Sequence, residues 1–166
     1  MNRLLINTPI TAKWDSDTNI DKKTIMDADN ILRSSQADIA YPYNGIVYQT
    51  SDILQIYYLN TKDIKVLYKN LNILDYLYNQ PMYGGAVFVN SNKYIDAGIE
   101  NERHYGWGNE YYDCYNRFTN LGYNVYRVNA HLFHLYHPRK ENSSFRPKTF
   151  HYISSNELFR ISNSSK

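Results

Sequence analysis

Pro9 to Trp14 is a short β-prone run that breaks into Asp15-Ser16-Asp17, the pattern of a buried strand delivering acidic residues at its C-terminal edge. Asp21 stands in the position of a helix cap, and Ile25, Ala28 and Ile31 or Leu32 recur at helical spacing up to about Ser34. A second strand is expected over 38–43. Ser51 to Tyr78 carries a broken helical pattern with Ile53, Leu54, Ile56, Tyr57, Ile64, Leu67, Leu71 and Leu74 as its apolar stripe, and Pro81 stops it. Tyr83-Gly84-Gly85 opens a strand over 86–89, after which Ser91 caps a short helix ending near Gly98. Tyr111, Cys114, Tyr115, Phe118 and Leu121 keep helical spacing from Glu110 to Leu121, with Gly122 as the stop and a last strand over 125–128.

This order predicts an α/β fold with a mixed or partly parallel sheet flanked by helices. Residues 1–142 form the domain, and 143–166, rich in Ser, Asn and Lys with few periodic apolar positions, form a polar C-terminal extension. A complete doubly wound nucleotide domain needs several more βα units before Pro9 than this sequence carries.

With 166 residues and 43% hydrophobic content the chain is sized for one globular domain. It holds neither an apolar run of membrane-spanning length nor a secretory leader pattern at Met1 to Asn7, so a cytoplasmic protein is expected, free or at the inner membrane face. A lone Cys114 excludes an internal disulfide and a cysteine-rich zinc site. The net charge of +2 is spread without a dense basic block, which argues against a nucleic-acid partner. The 18 tyrosines suit stacking on sugars, and equally an AT-rich coding sequence.

Three constellations carry candidate chemistry. Asp15 and Asp17, two apart, direct both carboxylates to one side of an extended backbone and suit a divalent cation; they also suit a turn and a helix cap. Gly106-Trp107-Gly108-Asn109-Glu110 opens into a helix that continues through Tyr111 and Asp113. Its glycines allow close backbone approach, its indole offers a flat face to a sugar ring, and its carboxylate can accept a hydroxyl proton. The third holds His131, His134 and His137, three of the five histidines. A strand would put His131 and His137 on one face; a helical turn would bring His134 and His137 together.

In this order the motifs resemble the galactosyltransferase C-terminal domain family of GT-A glycosyltransferases. Trp14-Asp15-Ser16-Asp17 is similar to its Asp-x-Asp motif, Tyr83-Gly84-Gly85 to its donor-side Gly-Gly, Gly106 to Glu110 with Asp113 and Arg117 to its Trp-Gly-Gly-Glu-Asp helix start, and His134 to Arg139 to its closing histidine segment. The resemblance implies the C-terminal part of a GT-A fold and metal-dependent transfer of a hexose, such as galactose, from a UDP-sugar to a saccharide acceptor in bacterial capsule or surface-polysaccharide synthesis. It implies donor contacts at Asp15, Asp17, Gly84 and Gly85, acceptor contacts at Trp107, Gly108 and Glu110, and manganese, or magnesium, on Asp17 and His137 with His134 as a third ligand. The family carries an acidic residue where this chain has Tyr111; a phenol with an unperturbed pKa of about 10 is a poor base, so Glu110 or Asp113 would substitute. The short segment before Ile10 leads us to expect a missing N-terminal part that would hold the uridine. The alternative is a truncated or catalytically decayed sugar-binding remnant of such an enzyme.

Overall fold

The computed structural model describes residues 6–79, 81–104, 109–138 and 148–164. In chain order the elements are β1 (Ile10–Trp14), β2 (Thr18–Asn19), α1 (Lys22–Arg33), β3 (Ile39–Tyr41), β4 (Val47–Gln49), α2 (Asp52–Thr61) and α3 (Lys65–Lys69). A 3-10 turn at Leu71–Ile73 leads to β5 (Asp75–Tyr76), β6 (Ala86–Asn90), α4 (Ser91–Asp96), α5 (Asn109–Asn120), β7 (Val125–Arg127), β8 (Leu132–His134) and α6 (Lys148–Ser162). The strands form two sheets, ordered β1-β6-β3-β7 and β2-β8-β4-β5. Both are mixed: β3 runs parallel to β7 and β4 to β8, while the remaining pairs are antiparallel.

Alternation along β3 and β6 builds the first sheet's two faces. Ile39, Tyr41, Val87 and Val89 point to Tyr94 of α4 and Tyr111, Cys114 and Phe118 of α5. Ala40 and Phe88 point the other way, onto Ala28 and Leu32 of α1. The second sheet packs Tyr48 and Phe133 against Leu54 of α2 and Leu67 of α3. The chain passes between the sheets at 15–17, 20–38, 42–46, 77–85 and 128–131, and Asp15, Asp17, Gly84, Gly85 and His131 lie in these crossings. Among the described residues, no helix is long and apolar enough to cross a membrane.

Several local expectations are corrected. β1 is a half-exposed edge strand, not a buried one. Ile53, Ile56 and Tyr57, placed on the apolar stripe, face outward at 77%, 60% and 56% exposure, while Leu54 points in. Helical structure in this stretch ends at Ile73, well before Pro81. Asn90, not Ser91, caps α4, its side chain accepting from the amides of Asn92 and Lys93. The stretch read as a polar extension carries α6, which buries Ser154, Glu157 and Ile161 and packs on α5.

Candidate functional site

The acidic turn is built from backbone outward. Asp15 N–H donates to Gly85 O at 2.9 Å, and Thr18 closes the turn by donating from N–H to Asp15 O at 3.1 Å and from its hydroxyl to Asp15 O and Gly85 O. Because 15–17 turn instead of running extended, Asp15 and Asp17 serve different partners, unlike the shared side expected of a strand. Gly85 adopts φ +94, and a Cβ there would stand 2.7 Å from Leu132 Cδ1. A Cβ on Gly84 would meet Tyr111 Cδ2 at 3.2 Å, and Gly84 O accepts from the Tyr43 hydroxyl. The glycine pair therefore lets β6 begin tightly against both the acidic turn and α5.

Tyr111, on the first turns of α5, donates its hydroxyl to Asp15 Oδ1 at 2.6 Å. Burial first, and then the hydrogen bond to Asp15 and its charge, push the phenol far above its ordinary range, so it remains protonated. Lys13 lies 4.2 Å from the centre of the Tyr111 ring and pairs with Glu100 at 3.0 Å. Sequence reasoning missed Lys13; its signal was the alternation of β1, which puts it opposite Val87 beside the turn. Glu110 precedes Tyr111 on the helix, and its Oε2 is buried without a hydrogen-bond partner among the described residues.

Asp113 is 0% exposed. Arg117 Nε donates to its Oδ2 at 2.6 Å and Asn101 Nδ2 to its Oδ1 at 3.1 Å, while His104 Nε2 stands 3.1 Å from Oδ1 in ion-pair rather than aligned hydrogen-bond geometry. Burial works against the charge of Asp113, but His104, Arg117 and Asn101 together hold its pKa below the usual carboxylate range. Both oxygens of this carboxylate are thus engaged by described neighbours.

The histidines meet Asp17 across the pairing of β2 with β8, where Thr18 sits opposite His134. Leu135 N–H donates to Asp17 O at 2.7 Å, and Thr50 N–H to His134 O at 3.0 Å. Asp17 Oδ2 then lies 3.2 Å from His137 Nε2 and 3.4 Å from His134 Nε2. One ligand atom from each of the three residues falls within 4.8 Å of the others. One carboxylate oxygen and two imidazoles, opening to solvent at His137, form a donor set that fits a divalent transition ion with positions left over. His131 is left out of this group: its ring packs on Tyr48 with centroids 5.2 Å apart.

Gly106, Trp107 and Gly108 lie outside the described residues, as does Arg139. A cleft of about 720 Å³ between α1 and β7, and another of about 440 Å³ beside Asp21, Tyr68 and His131, contain neither Asp17, His134 nor His137.

Residues 66–141 match the sequence model of a family described as the N-terminal domain of galactosyltransferase. The matched segment contains Gly84, Gly85, Glu110, Asp113, His134 and His137; Asp15 and Asp17 precede it. The match supports a galactosyltransferase-like chain whose activity class is glycosyl transfer, on a mixed α/β architecture compatible with it. No curated protein matches the chain.

Proposed function

We propose that the chain transfers a hexose, galactose foremost, from a UDP-sugar to a saccharide acceptor at a metal-dependent GT-A site, in the cytoplasmic synthesis of capsule or surface polysaccharide. The observation that carries this reading is the meeting of Asp17, His134 and His137, brought from opposite ends of the chain to one point. Manganese suits this donor set first and magnesium second; either, when bound, neutralises charge developing on the departing diphosphate.

The chain's own groups divide the remaining work. Asp15, oriented by the Tyr111 hydroxyl at 2.6 Å, faces the donor ribose or sugar, and the Gly84-Gly85 backbone lines the donor side. Glu110 is the acceptor-side base, since its buried carboxylate oxygen has no partner among the described residues and a ligand hydroxyl would complete it. Trp107 and Gly108 flank the acceptor by the family resemblance. Tyr111 is a hydrogen-bond donor instead of a base, and Asp113 an organiser.

The second reading, a sugar-binding remnant without turnover, is favoured by one observation: Tyr111 holds Asp15 with a protonated phenol where the family carries an acid. UDP release measured with manganese, with and without saccharide acceptors, separates the two. The transferase reading expects release that needs both metal and acceptor and disappears in Asp17→Asn; binding of UDP with no release under any acceptor would leave the remnant.

A further inference from the structure

We propose that Glu157 of α6 is a positioning residue for the acceptor side of the site, acting through Asn101 and Asp113 on the turn of α5 that carries Glu110; this rests on the transferase reading. Asn101 is the hub. Its Oδ1 accepts from Arg103 N–H at 3.1 Å, which fixes the orientation of the amide. Its Nδ2 then donates to Asp113 Oδ1 at 3.1 Å and to Glu157 Oε1 at 2.9 Å. Both hydrogens of the amide are thus committed, one to each of two buried carboxylates.

Each carboxylate has its own guanidinium. Arg117 Nε donates to Asp113, while Arg160 grips Glu157 through Nε at 2.9 Å and Nη2 at 2.8 Å, and Arg103 stands 3.7 Å away. Removing a partner from such a buried group is costly, because the remaining charge stays desolvated. The Arg160 hydrogen bond, foremost, holds the Glu157 carboxyl at about 2, so it is charged throughout the neutral range.

The register of α6 points the same way. This helix leaves Tyr152 at 68% and Phe159 at 72% exposure, yet turns Ser154 and Glu157 inward. Ile161 is buried on the same face, and the contact of Glu157 with Asn101 acts together with those of Asn116 with Ser162 and of Asn120 with Ile161 O in fixing how α6 sits on α5. Asp113 stands three residues after Glu110 on the same helix, close enough that a displacement of one is felt by the other. Arg117, which pairs with Asp113, also donates to Ala97 O and ties this turn to the end of α4.

The test compares Glu157→Met with Glu157→Gln in the full chain. The methionine loses the acceptor for Asn101, and transfer to a saccharide should fall by about tenfold or more, the scale on which small misplacements act. Manganese-UDP affinity by calorimetry should hold steady in both. The glutamine keeps an oxygen that can accept from Asn101 and should recover most of the loss, although it gives up the charge that Arg160 pairs with. Activity that follows melting temperature across the two variants, with no recovery by glutamine, overturns the proposal in favour of a merely structural role. Should Glu157→Met fail to fold, Asn101→Ala serves in its place, with the same acceptor-side loss expected and unchanged transfer overturning the idea. Hydrogen exchange at amides 109–113 supplies a readout that does not need turnover. Faster exchange there in Glu157→Met than in Glu157→Gln supports the hold, and equal exchange overturns it, even if the wild-type chain releases no UDP and the transferase reading itself has failed.

Discussion

Glu110 and Tyr111 are sequence neighbours set to opposite tasks by what surrounds them. Burial and the Asp15 carboxylate keep the Tyr111 phenol protonated far into the alkaline range, so no activity gained as pH rises through neutrality can come from its ionisation. Glu110 is the neighbour whose Oε2 is enclosed without a hydrogen-bond partner among the described residues, a carboxylate oxygen left able to accept a proton from a bound hydroxyl. Glu110→Gln should therefore cut transfer by roughly a hundredfold, the range of general-base contributions, while UDP binding stays intact. Tyr111→Phe should act on the donor side instead, raising the donor KM through a loosened Asp15 and costing about 1 kcal/mol of stability for the lost hydrogen bond. Steady-state kinetics on both substrates checks the pair, and a larger turnover loss in Tyr111→Phe than in Glu110→Gln would reverse the two assignments.

At the scale of elements, the placement of Gly84-Gly85 makes a graded prediction. Gly85 has a left-handed φ of +94 and no room for a Cβ beside Leu132, and its carbonyl receives both Asp15 N–H and the Thr18 hydroxyl. Gly85→Ala must strain the backbone and move either β8 or the acidic turn, costing on the order of 1–3 kcal/mol. Gly84→Ala meets only the edge of the Tyr111 ring at 3.2 Å and should cost clearly less. Denaturant unfolding orders the two, and equal stability would mean that the turn does not depend on this glycine. The glycine pair was legible in the sequence, as were α1, β3, β6 and α5, whose apolar residues repeat at the period of the structure they form. β2, β4, β5 and β8 were not: these segments of two or three residues lie in stretches without a strand pattern of their own, and pairing with one another in the second sheet defines them. α6 was hidden for a different reason. Ser154 and Glu157, two of its inward residues, are polar, and the burial of Glu157 becomes intelligible only when its partner, Asn101, is in view.

The whole molecule places the Asp17-His134-His137 group where the chain enters the second sheet from the first, and that location makes cation binding a matter of global stability as well as chemistry. Asp17 enters from the crossing between β1 and β2, His134 ends β8, and His137 follows it, so an ion on all three would tie the β1–β2 crossing to β8 and the chain beyond it. In sequence the histidine spacing left a strand face and a helical turn equally open; the outcome is a strand that ends at His134 and bends back to bring in His137, which no local periodicity encodes. A ligand that binds the folded chain and not the unfolded one stabilises it by about 2.7 kcal/mol at a hundredfold excess over its dissociation constant. For a chain of this size that corresponds to roughly 5 to 10 °C in melting temperature. Manganese should produce such a rise and a chelator should abolish it. Asp17→Ala and His137→Ala should each remove most of the shift while leaving the metal-free melting temperature nearly unchanged, because both side chains are partly exposed, at 36% and 41%. His134 is more enclosed, at 11%, so His134→Ala should lower the metal-free value as well. Magnesium should stabilise less, given the two nitrogen donors. The opposite result, a melting temperature indifferent to manganese in the wild-type chain at millimolar concentration, would reduce the cluster to a hydrogen-bonded carboxylate and two imidazoles, and would take from the transferase reading the observation on which it stands.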